Sequence, residues 1–242
     1  MKIKILISKI IWIIFHYLRY FNLVKYDYKI NSKVDFGSKI ANNFFISKLK
    51  NSKLYLEYGS GSSTLIARKL RKNFFSVESD KNFFLYLKSE LQIFNKSNNN
   101  LKYDYRFIDF GPVSFYSLPI FFLFRKNYLK LKAYSYANDA LFYLEKNNKL
   151  PELILIDGRY RVLCGLYLYM FLNKQQSAIK NKNITILLDD YKKRQKEYGV
   201  LKKFYKIKTI GRIGCLSIKN LNINKANTLA NNLINKFCFD YN

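Results

Sequence analysis

Five short apolar runs recur along the chain: LYLEY (54–58), FFSVES (74–79), YDYRFIDF (103–110), ELILID (152–157) and ITILLDD (184–190). Each is too short for a buried helix and is bounded by turn or helix residues, so each reads as a strand. Between them lie helical stretches, STLIARKLRK (63–72), NFFLYLKSELQIF (82–94) and AYSYANDALFYLEK (133–146). Apolar strands alternating with helices predict an α/β fold built on a doubly wound, mostly parallel sheet. FYKIKTI (204–210) and CLSIKN (215–220) then predict an antiparallel pair, followed by a last helix over 224–237.

With 242 residues the chain can bury the core of one large domain. We expect that domain over 29–242, preceded by an amphipathic helix within 1–28. The net charge of +27 draws the chain to polyanions. Nucleic acid, an anionic membrane surface, or a plain lysine-rich composition with no such partner would all account for it. Lysine is spread along the whole chain rather than gathered in a basic tail. Cys164, Cys215 and Cys238 are odd in number and far apart, which fits reduced thiols in the cytoplasm rather than a disulfide framework or a metal spacing. The single histidine, His16, lies outside the strand ends, so chemistry built on a histidine base is not expected.

Residues 3–24 are rich in isoleucine but are interrupted by Lys9, His16 and Arg19. A lysine near a helix centre costs roughly 2.5–3.5 kcal/mol in a membrane span. At about 100° per residue, Lys2, Lys4, Ser8, Lys9, His16, Arg19 and Asn22 share one arc. Ile3, Leu6, Ile7, Ile10, Ile13, Ile14, Tyr17, Leu18 and Phe21 share the other, while Ile5, Trp12 and Phe15 blur the polar arc. This pattern predicts a helix lying in a membrane interface, which would place the protein peripherally at the inner face of a membrane, or a helix packed on its own domain or on a second subunit, with a true span or a cleaved signal as the remaining alternative.

In doubly wound sheets, ligands bind outside the carboxyl ends of the strands. Glu57, Glu78, Asp157 and the pair Asp189-Asp190 end four of the strands, although only 16 residues of the chain are acidic. The turn YLEYGSGSST (55–64) opens a helix: Gly59 and Gly61 allow close approach of a ligand, and the helix N-terminus favours an anionic group. Glu57 on the strand side favours an amine. Glu78, 21 residues further on, is placed to accept ribose hydroxyls. A ligand with a ribose, an amine and a carboxylate but no pyrophosphate fits this set, and S-adenosylmethionine is such a ligand.

EYGSGSST (57–64) and VESD (77–80) resemble the first two motifs of class I S-adenosylmethionine-dependent methyltransferases. LIDGRYR (155–161) and LDDYKKR (188–194) are similar to further motifs, IDGRxR and DDY, of one branch of these enzymes. The resemblance implies a seven-stranded Rossmann-like sheet with one antiparallel strand near its edge. It places the methionine end of the cofactor at Glu57, Gly59, Ser60 and Gly61, the ribose at Glu78 and the adenine near Asp109. For Asp109 a turn-capping role is equally open, and Ser62, Ser63 and Thr64 read as caps of the following helix.

Asp157, Asp189 and Asp190 end strands expected to be neighbours, and three such charges need a cation or several hydrogen bonds between them. Oxygen-only ligands suit Mg²⁺, as in metal-dependent O-methyltransferases. The alternative is a carboxylate that caps the helix after the fifth strand, with no metal. Arg159 and Arg161 point to an anionic acceptor such as a uronate or a phosphorylated sugar, Tyr191 and Arg194 to the same corner, and Asp157 or Lys192 to the proton acceptor. SFYSLPIFFLF (114–124) is a candidate lid or apolar surface. The expected activity is O-methylation of a small molecule or glycan. Methylation of RNA, or a non-catalytic membrane-associated scaffold of the same fold, are the alternatives; a [DN]PP[YF] element for base-amine methylation is missing.

Overall fold

The computed structural model describes residues 2–24, 27–93, 103–114, 119–120, 126–175, 183–219 and 223–238, with the backbone alone for residues 2–6, 93 and 223. Seven strands, β1 (Leu54–Tyr58), β2 (Asn73–Glu78), β3 (Tyr103–Phe107), β4 (Leu153–Ile156), β5 (Thr185–Leu188), β6 (Tyr205–Ile210) and β7 (Ile213–Ile218), form one sheet in the order β3-β2-β1-β4-β5-β7-β6. β7 runs antiparallel to both neighbours and the other pairings are parallel. This is the doubly wound, mostly parallel seven-stranded sheet that the sequence predicts.

Helices cover both faces. α2 (Lys39–Asn51), α3 (Ser62–Lys69) and α4 (Lys81–Ile93) pack on one, and α5 (Lys126–Lys146), α6 (Arg161–Lys174) and α7 (Ile223–Phe237) on the other. Side-chain alternation makes this three-layer structure possible. Leu153 and Leu155 of β4 enter the α2–α4 layer, whereas Ile154 and Ile156 enter the α5–α7 layer. Such strands must be apolar on both sides, which is why their runs stand out in the sequence. α2 is set by Ser38, whose Oγ accepts from the Ala41 amide, and by the buried row Ala41, Phe45 and Leu49. Among the described residues no α-helix lies between β5 and β6; turns lead into a 3-10 helix at Glu197–Lys203.

α1 (Lys2–Tyr20) is amphipathic as expected, but its seating is the reverse of the usual one. Two residues of the polar arc face the domain, while Ser8, Lys9 and Asn22 are exposed: His16 and Arg19 are buried, and the Arg19 guanidinium pairs with Asp80 at 2.8 Å and donates to the Val113 carbonyl at 3.0 Å. Asn82 donates to the Arg19 carbonyl at 2.7 Å. Burial and the neighbouring Arg19 lower the His16 pKa to about 4, so its imidazole is neutral in this packing. Ile7, Ile10, Ile11 and Ile14 are exposed instead. No described helix is long and apolar enough to cross a membrane.

Candidate functional site

The carboxyl ends of β1, β2, β4 and β5 open into a cavity of about 480 Å³. Its acidic side chains are Glu78, Asp80, Asp157, Asp189 and Asp190, and its basic ones are Arg19, Arg159, Arg161 and Arg212. A smaller cavity of about 200 Å³ adjoins it, sharing Gly59, Ser60, Asp157 and Arg212, and lies against the segment 31–36. The sequence reading expects the ligand crevice at the strand ends, where this cavity lies.

The two glycine-bearing turns fit against each other. Gly59 has φ +87°, and a Cβ on it would lie 2.4 Å from the Gly158 Cα. A Cβ on Gly158 would lie 1.9 Å from the Tyr136 hydroxyl and 2.8 Å from the Gly59 nitrogen. Close packing of the β1 and β4 turns therefore requires both glycines. Gly61 is different: its backbone is extended at φ 172°, and a Cβ there would meet nothing within 4 Å. That open side borders the smaller cavity.

Glu78 sits at the cavity wall with both carboxylate oxygens engaged. One accepts from the Ser60 hydroxyl at 2.6 Å and the Ser60 amide at 3.2 Å, the other from the amides of Ser79 and Asp80 at 2.6 and 2.9 Å. Burial still raises its pKa, the Ser60 hydrogen bond opposing that shift. Tyr28 and Phe83 add an apolar rim, their rings meeting edge-on at 5.3 Å. Neither aromatic is singled out by a motif, and Tyr28 comes from the segment just before the domain.

Glu57 departs from its expected place at the methionine end of the cofactor. It is fully buried on the α3 side of the sheet and does not line either cavity. Four hydroxyls donate to it: Tyr55 at 2.8 Å, Thr64 at 2.5 Å, Ser76 at 3.0 Å, and Ser63. Thr64 also accepts from the Gly61 amide at 2.9 Å, so it caps α3 while tying it to Glu57. The strand alternation that sends Tyr55 towards α3 sends Glu57 there too. Burial raises the Glu57 pKa to about 7 against the pull of these hydroxyls.

For Asp109 the structure shows the turn-capping alternative, and the residue also anchors α1. One oxygen accepts from the Gly111 amide at 2.7 Å and the other from the Tyr20 hydroxyl at 2.8 Å, and the residue is not among those lining the cavity. Tyr191 departs from its expected place as a substrate platform. It is buried in the core and packs so tightly on β7 that a Cβ on Gly214 would lie 2.8 Å from its ring. Lys192 is exposed. The expected lid falls mostly on residues outside those described, which include 115–118 and 121–124.

The structure brings Asp157, Asp189 and Asp190 together as the strand order requires, but arginines separate their charges. Arg212, from the β6–β7 turn, donates Nε and Nη2 to the two Asp189 oxygens, both at 2.8 Å. Arg161 lies 3.0 Å from Asp157 and 3.6 Å from Asp190, and donates to the carbonyls of Gly158 and Asp189 at 2.9 and 2.8 Å. Among the described residues no group of three His, Cys, Asp or Glu side chains is arranged to hold a metal ion. The cation that the three carboxylates call for is a pair of guanidinium groups, and this donor set does not fit Mg²⁺. Arg161, expected to grip a substrate, is committed to the β4 and β5 ends. Arg159 lines the cavity, its pKa lowered by burial and by Arg161. The Asp157 pKa is raised well above its ordinary value by burial and by the Asp189 charge, with Arg161 opposing, while the Arg212 fork helps hold Asp189 low.

No protein-family model matches the sequence, and comparison with curated proteins finds no relative. Among solved structures the chain is similar to a methyltransferase-like protein from Silicibacter pomeroyi, with a TM-score of 0.66 and 21% identity. The similarity covers 87% of this chain and all of the other. At that identity it shows the fold alone.

Proposed function

We propose that this chain is an S-adenosylmethionine-dependent methyltransferase acting on a hydroxyl of a small, anionic molecule or glycan. The observation that carries the reading is Glu78, a buried carboxylate at the end of β2 that lines the cavity beside an open glycine turn. Ribose hydroxyls would share its oxygens with Ser60. Tyr28 and Phe83 offer faces for the adenine, and the open side of Gly61 together with the α3 N-terminus suits the methionine carboxylate.

S-adenosylmethionine supplies an activated methyl group, whose carbon–sulfur electron pair stays with the departing sulfur. The residues of the chain do the rest. Asp157 lines both cavities and its raised proton affinity suits a group that takes the proton of the acceptor hydroxyl as that oxygen gains the methyl. Arg161 and the Arg212–Asp189 fork fix the position of Asp157 from both sides, which counts because in-line transfer depends on alignment. Arg159 favours an anionic acceptor, since an incoming anion would relieve the like charge of Arg161. The reading includes no metal step.

Transfer of labelled methyl to a panel of uronates, phosphorylated sugars and structured RNA tests this. Label on the oxygen of an anionic small molecule is expected. Label on RNA alone would replace this reading with nucleic-acid methylation.

A further inference from the structure

His16 and Arg19 of α1 turn into the domain, and a stripe of isoleucines on the opposite side of the helix is exposed. Ile7, Ile10, Ile11 and Ile14 recur at i, i+3, i+4 and i+7, and each is about half exposed: 51, 47, 61 and 51%. Phe21 and Leu23 continue the outward apolar surface at 60 and 71% exposure. The helix cannot roll over to hide these residues, because Arg19 is held by Asp80, Val113 and Asn82 on the opposite side.

We propose that this face of α1 is a docking surface for an anionic lipid bilayer, with the isoleucines entering the acyl boundary and the helix lying in the plane of the interface. Charge selects this occupant over a second copy of the chain. Two molecules of net charge +27 repel each other, whereas the same charge draws each one to an anionic surface. Four isoleucines on one stripe then give the contact an apolar component that salt does not screen. The inference is independent of the reaction proposed for the cavity.

The full-length protein is mixed with phosphatidylglycerol–phosphatidylcholine vesicles at about 0.5 M salt, where surface charge is largely screened. We expect co-sedimentation of the wild-type protein. The double variant Ile10→Ser/Ile14→Ser keeps every charge and alters exposed positions. It should partition at least about tenfold more weakly while keeping the wild-type thermal transition. Association that vanishes at high salt and is equal in both proteins would overturn the proposal and leave a merely electrostatic attraction. A wild-type dimer that the double variant abolishes, without lipid binding by either protein, would overturn it in favour of a second copy.

Discussion

Arg212 meets Asp189 as a fork, with two N–H···O bonds of 2.8 Å holding a carboxylate that is 1% exposed. This contact joins the β6–β7 turn to the end of β5 and keeps the third carboxylate of the strand-end cluster ionised. Truncation as Arg212→Ala would leave that charge buried and unmatched, at about 3 kcal/mol or more. Arg212→Lys should recover only part of the loss, because an ammonium cannot span both oxygens. The folded-state pKa of Asp189 is depressed. Its stabilising contribution is therefore present above its unfolded pKa and is lost as pH falls through the lower folded value. Urea denaturation at neutral pH and near pH 3 checks both statements: the gap between wild type and Arg212→Ala should narrow in acid.

Glu57 has the opposite sign. Its pKa is raised to about 7 in the folded chain, so the folded state holds a proton that the unfolded state gives up. Stability should therefore fall as pH rises from about 4.5, the ordinary value, towards 7, and level off above. Glu57→Gln has no such proton and should flatten that slope. Urea midpoints at pH 5, 6, 7 and 8 measure it; a wild-type midpoint that rises over this range once the Arg212–Asp189 contribution is saturated would contradict the assignment.

Much of the sheet was legible because strands covered on both faces must be apolar, and these were interrupted by turns and amphipathic stretches. The clustering of Glu78, Asp157, Asp189 and Asp190 was legible for a related reason, since parallel strands bring their carboxyl ends to one side. Partners supplied by distant elements were not. Arg212 reaches Asp189 only because β7 inserts between β5 and β6, a pairing that no local pattern announces. Glu57 was misread because the resemblance names a ligand, whereas its shell comes from Tyr55 two positions back, Ser76 across the sheet, and the helix hydroxyls. The polar arc of α1 was correct as a pattern. Periodicity cannot say which side a helix turns to its own domain, and the buried Asp80 settled that.

The glycines give a contrasting pair. Gly158→Ala should disrupt the packed turns and cost more than about 2 kcal/mol, since the new methyl would overlap the Tyr136 hydroxyl and Gly59. Gly61→Ala meets open space and should leave the thermal transition almost unchanged. If a ligand approaches Gly61, the same harmless methyl should weaken cofactor binding. Thermal melts with and without S-adenosylmethionine separate the two effects.

For the reaction, Asp157→Asn should lower kcat by about 100-fold or more while leaving cofactor affinity within a few-fold. The acid limb of the wild-type pH–rate profile should lie above the ordinary carboxylate range, following the raised pKa of Asp157, with activity lost as pH falls and the base is protonated. Steady-state kinetics over pH 5 to 9, once an acceptor is in hand, reads both. An Asp157→Asn enzyme with the wild-type profile would return Asp157 to a purely positioning role.

The central claim, that the strand-end cavity holds S-adenosylmethionine through Glu78, is met most directly by calorimetric titration of the cofactor into wild-type protein and Glu78→Gln. The account predicts one site in the wild type and an affinity loss of about tenfold or more in the variant, as expected for hydrogen bonds to a charged acceptor worth roughly 1.5–3 kcal/mol. Circular dichroism should show that the variant remains folded despite the altered contacts to Ser60, Ser79 and Asp80. Folded wild-type protein that takes up no S-adenosylmethionine, or a folded variant that binds it as tightly as the wild type, would contradict the account.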